Sequence, residues 1–327
     1  MASEVLPIHP ERLSPEQAGR LLQQICDNVE RALRGKREVV ELAACTVVAG
    51  GHLLIEDVPG VGKTTLAQAL ARSLDMSFSR VQFTSDLLPS DILGAQVLDP
   101  REGSFAFRPG PIFAHVVLAD ELNRAPPRTQ SALLEAMSEG QVSLDGATRP
   151  LPRPFLVLAT QNPREQSGTY PLPDSQLVRF MLRLSLGHPE AAVERELLLS
   201  RKGADPLDTL APVASAAEVL RLQAAAAAVE VDPSLADYMV RLVRATRESP
   251  LIAGGASTRA LLALQAAARA RALLEGRGWL LPDDVKRVAI PCLAHRIAPA
   301  GREASETDRD ESERILADLL ARVEVPE

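Results

Sequence analysis

The fold of this chain is decided by the stretch Leu53-Leu54-Ile55-Glu56-Asp57-Val58-Pro59-Gly60-Val61-Gly62-Lys63-Thr64-Thr65. Its apolar start predicts a buried strand, its glycines predict a tight turn, and the residues after Lys63 follow a helical spacing. Gly60 and Gly62 leave room for backbone N–H groups to converge on phosphate oxygens, and the helix start adds positive potential. This order of strand, turn and helix is the context that a phosphate-binding loop requires.

The polar residues of this loop have separate expected tasks. Lys63 is expected to reach the β- and γ-phosphates of a nucleotide, and Thr64 is expected to hold Mg²⁺ through its hydroxyl. Asp57 stands where the G-x-x-x-x-G-K-[ST] pattern has its first glycine, so we expect its carboxylate to face away from the phosphates. The predicted nucleotide contacts are Asp57, Val58, Pro59, Gly60, Val61, Gly62, Lys63, Thr64 and Thr65.

Two later apolar runs end in polar side chains. Residues 115–119 are followed by Asp120, which we expect to bind Mg²⁺, and Glu121, which we expect to polarise an attacking water. The pair could instead cap the helix predicted at 127–139. The second run ends at Asn162, which is placed to orient that water, although an Asn before a proline also simply begins a turn.

Short apolar runs alternate with helical segments through the first half of the chain, which predicts a parallel sheet covered on both faces. The strands are expected at 52–56, 81–83, 115–119, 155–159 and 181–186. We predict three regions: a helical segment at 1–50, an α/β core at 51–187 and a helical region at 188–327. The pair Asp145-Gly146 is typical of a hairpin turn.

Composition narrows the function classes. The chain of 327 residues has 43 acidic against 36 basic residues, a net charge of −7 and only 3% aromatic residues, which argues against a nucleic-acid-binding surface. No apolar run approaches the ~18 residues of a membrane span. Three scattered cysteines predict reduced thiols in a cytoplasmic protein. The basic residues include only four lysines, of which Lys63 lies in the phosphate loop.

The run from Gly51 to Phe180 closely resembles the MoxR family of AAA+ ATPases. The matching stretches are 51–64, 84–91, 110–114, 119–139, 159–163 and 168–173. The resemblance implies an α/β P-loop NTPase (AAA+) core with a parallel sheet, followed by an all-α lid domain, with ATP and Mg²⁺ as cofactors. In such proteins Asp120 and Glu121 form the Walker B pair, and Asn162 is sensor 1.

The resemblance also assigns two arginines. The segment 175–180 is similar to the family's arginine-finger stretch, which implies a catalytic role for Arg179 in the site of a neighbouring subunit and hence a homo-oligomeric ring, expected to be a hexamer. Val178 replaces the Asp that usually precedes the finger, and the alternative is an arginine paired on the sheet surface. The segment 255–259 resembles sensor 2, which implies that Arg259 contacts the γ-phosphate. Lys36 stands where the family usually has Gln, which leaves adenine contacts there open.

The family resemblance implies an ATP-hydrolysing chaperone or remodelling ATPase that helps to mature, assemble or metallate partner proteins. A von Willebrand factor A-domain protein and a protein client are the expected partners. The resemblance also implies two hairpin insertions in the core, at about 96–107 and 141–154, which would face the pore or the partner. The alternatives are a nucleotide-gated scaffold with little hydrolysis, a metal-chelatase-like motor subunit, and a DNA-acting AAA+ motor, against which the charge balance argues.

Overall fold

The computed structural model describes residues 12–100, 103–162, 168–200, 205–301 and 309–326. The strands are β1 (Leu53–Glu56), β2 (Phe78–Gln82), β3 (Gly94–Asp99), β4 (Ser104–Pro109), β5 (Val116–Asp120), β6 (Gln141–Leu144), β7 (Ala147–Pro150), β8 (Leu156–Gln161), β9 (Leu182–Leu184), β10 (Ile252–Gly254) and β11 (Ala298–Pro299). The helices are α1 (Pro15–Glu30), α2 (Arg37–Val48), α3 (Lys63–Ser73), α4 (Pro89–Leu93), α5 (Pro127–Glu139), α6 (Asp174–Leu177), α7 (Ala191–Ser200), α8 (Ala216–Ala227), α9 (Pro233–Glu248), α10 (Thr258–Leu274), α11 (Pro282–Leu293) and α12 (Arg309–Arg322).

A parallel sheet in the order β2-β5-β8-β1-β9 forms the core. Successive side chains of its strands enter opposite hydrophobic clusters, as Leu53 and Ile55 on one side and Leu54 on the other show. The cause is the two-residue period of a strand that is buried on both faces. The predicted parallel α/β core is therefore confirmed. It brings the carboxyl ends of β1, β5 and β8 together at one edge.

Two antiparallel hairpins extend from this core. β3 pairs with β4 over residues 94–109, and β6 pairs with β7 over residues 141–150. The turn residues 101 and 102 of the first predicted hairpin lie outside the described residues. Asp145 and Gly146, which the sequence marks as a turn pair, both have positive φ angles, of 52° and 75°, as a two-residue hairpin turn requires.

The C-terminal region packs around α10, which contacts α8, α9 and α11. Side-chain caps begin its helices: Ser215 caps α8, Asp232 caps α9 and Ser257 caps α10. The helical prediction holds with one addition, because β10 and β11 form a small antiparallel sheet. Strands of two and three residues are too short to show a period in the sequence.

The N-terminal helices do not stand apart from the rest of the molecule. α1 packs against α10 and α3, and α2 packs against α10 and α8. At Gly19 of α1 the approach is so close that an added Cβ would lie 2.6 Å from the Cα of Gly276, so only glycine fits. Both helices share one hydrophobic cluster with the sheet and with the helical C-terminal region formed by α8 to α12, which we call the lid. Within the described part of the chain, no helix combines the length and apolar character needed to cross a membrane.

The three cysteines Cys26, Cys45 and Cys292 are buried and unpaired. Burial raises the pKa of the Cys26 thiol to about 12 and also raises the pKa of the Cys292 thiol. Such thiols stay protonated near neutral pH, so the cysteines act as small core residues rather than as nucleophiles.

Candidate functional site

A cleft of about 390 Å³ opens at the carboxyl edge of the sheet. It is lined by Pro59, Gly60, Gly62, Lys63, Thr64, Thr65, Arg80, Gln82, Asp120, Glu121 and Asn162. Ligands of open α/β sheets bind in this position, beyond the carboxyl ends of the strands. The fold thus brings together in one cleft the loop after β1, the acidic pair at the end of β5 and the asparagine that follows β8. These groups span more than a hundred residues of sequence.

The glycines of the loop adopt backbone conformations that other residues rarely reach. Gly60 has a φ of 86° and Gly62 has a φ of 104°, and Gly62 directly precedes the first residue of α3. A left-handed residue at this point turns the chain so that the free N–H groups of the first helical turn face the cleft. Val61, in contrast, packs into the hydrophobic core, and so does part of Val58.

The ammonium group of Lys63 lies on the loop itself. Its Nζ donates hydrogen bonds to the carbonyl oxygens of Asp57, at 2.7 Å, and Val58, at 3.3 Å. Burial lowers the pKa of Lys63, although the negative charges of Asp120, Asp57 and Glu121 oppose this effect. A compact cation on a flexible stem can move from these carbonyls to a phosphate group without rearrangement of the backbone.

Asp57 faces away from the cleft. Its carboxylate accepts hydrogen bonds from the N–H of Gly187 at 2.7 Å, the hydroxyl of Ser185 at 2.8 Å and the N–H of Val58 at 2.8 Å. Burial raises the pKa of this carboxyl group, but these hydrogen bonds outweigh burial, so the pKa lies below its usual value. Asp57, which stands in the place of the first glycine of the loop pattern, thus links the phosphate loop by hydrogen bonds to the segment that follows β9.

We expect Asp57→Asn to destabilise the fold by about 1–3 kcal/mol near neutral pH, because it weakens hydrogen bonds to a charged acceptor. A folded-state pKa below the unfolded value of about 3.9 stabilises the protein above that pH, and this stabilisation is lost as pH falls through the folded-state pKa. In urea unfolding between pH 7 and pH 3, the wild type should therefore have a higher free energy of unfolding than Asp57→Asn. This difference should shrink below about pH 4. Asp237→Asn, on the exposed face of α9, is the control. A difference that does not vary with pH would contradict this role.

The carboxylate of Asp120 is held by two neighbours. Its Oδ1 accepts a hydrogen bond from the Thr160 hydroxyl at 2.7 Å, and its Oδ2 pairs with Nη2 of Arg80 at 2.6 Å. Thr160 lies on β8 and Arg80 on β2, the two strands that flank β5. Asp120 is therefore fixed from both sides of its strand.

Glu121 has an unusual backbone conformation for a residue other than glycine. Its φ of 57° and ψ of 48° place it in the left-handed region, and its N–H donates to the Thr160 hydroxyl at 2.9 Å. Its Oε2 accepts from Nε2 of Gln82 at 2.7 Å and pairs with Nε of Arg124 at 3.1 Å. Such strain persists only where surrounding contacts impose it, and it is concentrated at functional sites.

The oxygen donors of the cleft suit Mg²⁺. Mg²⁺ is bound in nucleotide sites through one or two carboxylates and substrate phosphates, with several waters retained. Asp120 supplies such a carboxylate and Thr64 a hydroxyl, and both line the same cleft as the phosphate loop. The residues present therefore fit a magnesium–nucleotide complex.

Two residues that the resemblance assigns to catalysis are absent from the lining of the cleft. Arg179 instead donates from Nη1 to the carbonyl of Leu134, at 3.2 Å, and to the Ser138 hydroxyl, on the last two turns of α5. Arg259 is exposed in the first turn of α10. The structure of one chain thus places both arginines outside their own phosphate site.

Four side chains that contact the acidic pair were not predicted from the sequence: Arg80, Gln82, Arg124 and Thr160. Arg80 and Gln82 lie two residues apart on one face of β2, and this polar i, i+2 spacing is visible in the sequence. That β2 lies beside the acidic pair is known only from the order of the sheet. Thr160 is the one hydroxyl side chain in the run 155–161, and it is fully buried. A buried hydroxyl needs a hydrogen-bond partner, which here is the carboxylate of Asp120.

Comparisons with known proteins agree with this geometry. A family model described as "ATPase family associated with various cellular activities (AAA)" matches residues 52–182, and one described as "AAA lid domain" matches residues 244–317. The protein YeaC of Bacillus subtilis is 42% identical over 94% of this chain and 95% of its own length. Chaperone MoxR1 of Mycobacterium tuberculosis is 42% identical over 90% of this chain and 80% of its own length.

A solved structure gives the same answer for the fold. The crystal structure of a protein from Cytophaga hutchinsonii superposes with a TM-score of 0.85 at 36% identity, and the match covers 95% of this chain and 96% of the other. The family models, the extent of the sequence matches and the arrangement of the cleft lead to one assignment. The chain belongs to the MoxR family of AAA+ ATPases.

Proposed function

We propose that the protein binds ATP in the cleft, hydrolyses it to ADP and phosphate, and uses the cycle to remodel or mature partner proteins. The observation that carries the proposal is the convergence of the loop 57–65, the pair Asp120 and Glu121, and Asn162 at one edge of the sheet. A loop alone would support binding. The acidic pair and the amide beside it are the groups that hydrolysis requires.

Each polar group has a role that follows from its chemistry. Thr64 and Asp120 would hold Mg²⁺, which would supply positive charge to offset the negative charge of the phosphates. Lys63 would leave the loop carbonyls for the β- and γ-phosphates. Glu121 would accept a proton from the attacking water, and Asn162 would orient that water by hydrogen bonding.

One observation favours a second candidate, a nucleotide-gated scaffold with little hydrolysis. Arg80 is paired with Asp120, while Gln82 and Arg124 contact Oε2 of Glu121, so both carboxylates are engaged by side chains of the same chain. With its general base engaged in this way, the protein would hydrolyse ATP slowly until Gln82 and Arg124 move away from Glu121. The two functions differ in whether ATP turns over, which the variant of Glu121 considered in the Discussion decides.

The proposed assembly is a homo-oligomeric ring, expected to be a hexamer, in which Arg179 of one subunit completes the site of the next. Support comes from the position of Arg179 outside its own cleft and from membership of the AAA family. A von Willebrand factor A-domain protein and a protein client are the proposed partners. The hairpin of β3 and β4 offers them exposed Val97, Leu98 and Phe105. The buried unpaired thiols are consistent with a proposed cytoplasmic location.

Lys63→Ala tests nucleotide binding. Removal of one partner from a buried charge pair costs about 3–5 kcal/mol, so we expect the affinity for ATP to fall by about 10²–10⁴-fold. Titration with a fluorescent ATP analogue measures this loss. The control is Lys286→Ala, since Lys286 is an exposed lid residue beside Asp283. Unchanged ATP affinity in a folded Lys63→Ala protein would refute the assignment of the loop.

A further inference from the structure

The lid forms hydrogen bonds with the main chain directly after Arg179. Nε2 of His295 lies 3.0 Å from the carbonyl oxygen of Phe180 and donates to it, and Nη2 of Arg296 donates to the same oxygen at 2.7 Å. A carbonyl oxygen has two lone pairs and can accept both hydrogen bonds. The same Nη2 reaches the carbonyl of Met181 at 3.5 Å. These contacts join the lid to a core segment more than a hundred residues earlier in the chain.

The segment that carries Arg179 is held from its core side as well. The Phe180 side chain is fully buried in the cluster on one face of the sheet, and the N–H of Met181 donates to the carbonyl of His52 at 2.8 Å. The N–H of Arg179 donates to the carbonyl of Gln176 at 3.1 Å, which continues the turn of α6. The core therefore fixes the side chain of Phe180, whereas the lid contacts its carbonyl group. Through this carbonyl the lid can set the direction of the turn that carries Arg179.

Burial of these lid groups is costly, which argues for a specific role. Arg296 is 8% exposed and His295 is 2% exposed. In the described residues, Arg296 donates its hydrogen bonds to the main-chain carbonyls of Phe180 and Met181 rather than to a carboxylate. Arginine is rarely buried unless it is paired. Its rigid planar fork suits the fixing of carbonyl groups, which an apolar side chain of similar volume cannot do.

We propose that Arg296 and His295 are positioning residues for Arg179, so that the lid of each subunit sets where that subunit presents its arginine to the neighbouring site. The proposal rests on the proposed function, in which Arg179 acts between subunits. The lid helix α10 begins with Arg259 in its first turn. α10 packs against α11, and α11 leads directly into the segment that contains His295 and Arg296. A movement of the lid caused by the nucleotide of its own subunit would therefore shift the carbonyl of Phe180. That shift would change where Arg179 is presented to the neighbouring site.

The test uses Arg296→Met, which keeps the length and apolar packing of the side chain but removes its donors. A misplacement of about 1 Å at a catalytic group lowers the rate by about 10²-fold. We expect a loss of this size in the maximal rate of ATP hydrolysis, while the affinity of the same subunits for ATP stays within about twofold of wild type. Arg244→Met, on the exposed face of α9, is the matched control and should leave both quantities unchanged.

Mixed assemblies then distinguish a misplaced arginine from a damaged site. Subunits with Lys63→Ala supply an intact Arg179 but no nucleotide, and subunits with Arg179→Ala supply an intact site. Arg296→Met should regain at least tenfold activity with Lys63→Ala subunits and none with Arg179→Ala subunits. Recovery only with Arg179→Ala, or recovery with neither, would overturn the proposal.

A reference mixture separates this proposal from the proposed function. Lys63→Ala mixed with Arg179→Ala should recover activity if Arg179 acts between subunits, and failure of this mixture would remove both proposals. Recovery there without recovery of Arg296→Met would remove only the positioning role. If Arg296→Met does not fold, the same mixtures are made with Arg296→Lys and with His295→Gln, which retains a donor. Recovery of ATP hydrolysis in these mixtures then tests the positioning role. Both are expected to lose less activity than Arg296→Met and to recover with the same partner, and recovery with the other partner would overturn the role.

Discussion

Arg179→Ala is expected to lower the maximal rate of ATP hydrolysis by about 10³–10⁵-fold, the effect of an arginine supplied to phosphoryl transfer. This loss corresponds to about 4–7 kcal/mol of transition-state stabilisation. The stability of the fold should change little, because the hydrogen bonds of the Arg179 side chain to described residues go to a helix carbonyl and to the Ser138 hydroxyl on α5. The binding of ATP should also be retained, because Arg179 does not line its own cleft.

Phosphate release at saturating ATP measures the effect of Arg179→Ala. Arg244→Ala is the control, since it removes an exposed arginine that forms an ion pair with Glu248 in the same helix. A second measurement compares the assembled protein with the diluted monomer, and only the assembled wild type should hydrolyse ATP quickly. If Arg179→Ala retained the wild-type rate, Arg179 would be no more than a surface residue that pairs with α5.

Glu121→Gln is expected to bind ATP with near wild-type affinity but to hydrolyse it about 10²–10⁴-fold more slowly, the usual contribution of a general base. The substitution keeps the size of the side chain and an oxygen that can accept from Gln82 and Arg124. The left-handed backbone at this position therefore remains supported by the same neighbours. The group that is lost is the one that can accept a proton from water.

Single-turnover hydrolysis with excess protein isolates the chemical step for Glu121→Gln. The control is Glu135→Gln on the exposed face of α5, which removes an equal charge away from the cleft. Normal turnover in Glu121→Gln would remove Glu121 from its proposed role. A wild-type protein that hydrolyses ATP no faster than this variant would support the nucleotide-gated scaffold instead. The stalled variant also suits the capture of partners in the ATP-bound state.

The motifs of the site were predictable because their chemistry depends on neighbours in sequence. Gly60, Gly62 and Lys63 belong to one turn, so their spacing alone predicts a phosphate loop at the start of a helix. The apolar runs that end at Asp120 and Asn162 predict strands, and parallel strands bring their carboxyl ends to one edge. The family resemblance, which depends on the order of several such motifs, agrees with the comparisons.

Contacts between distant segments were not predictable in the same way. Gln82 reaches Glu121, and Arg80 reaches Asp120, because β2 happens to lie beside β5. The order of strands in a sheet depends on how whole elements pack, and no single stretch of sequence records it. The sequence correctly indicated that Asp57 turns from the phosphates, but its partner Gly187 lies 130 residues later.

By itself the sequence determined the phosphate loop, the alternation of strands and helices, and the acidic and amide groups at the strand ends. These features follow from local geometry, since a turn or a strand end is specified by adjacent residues. Only the tertiary structure decided which side chains hold the two carboxylates and that the lid grips the carbonyl of Phe180. The physical reason is that buried polar groups must find partners wherever packing places them, and packing is a property of the whole chain.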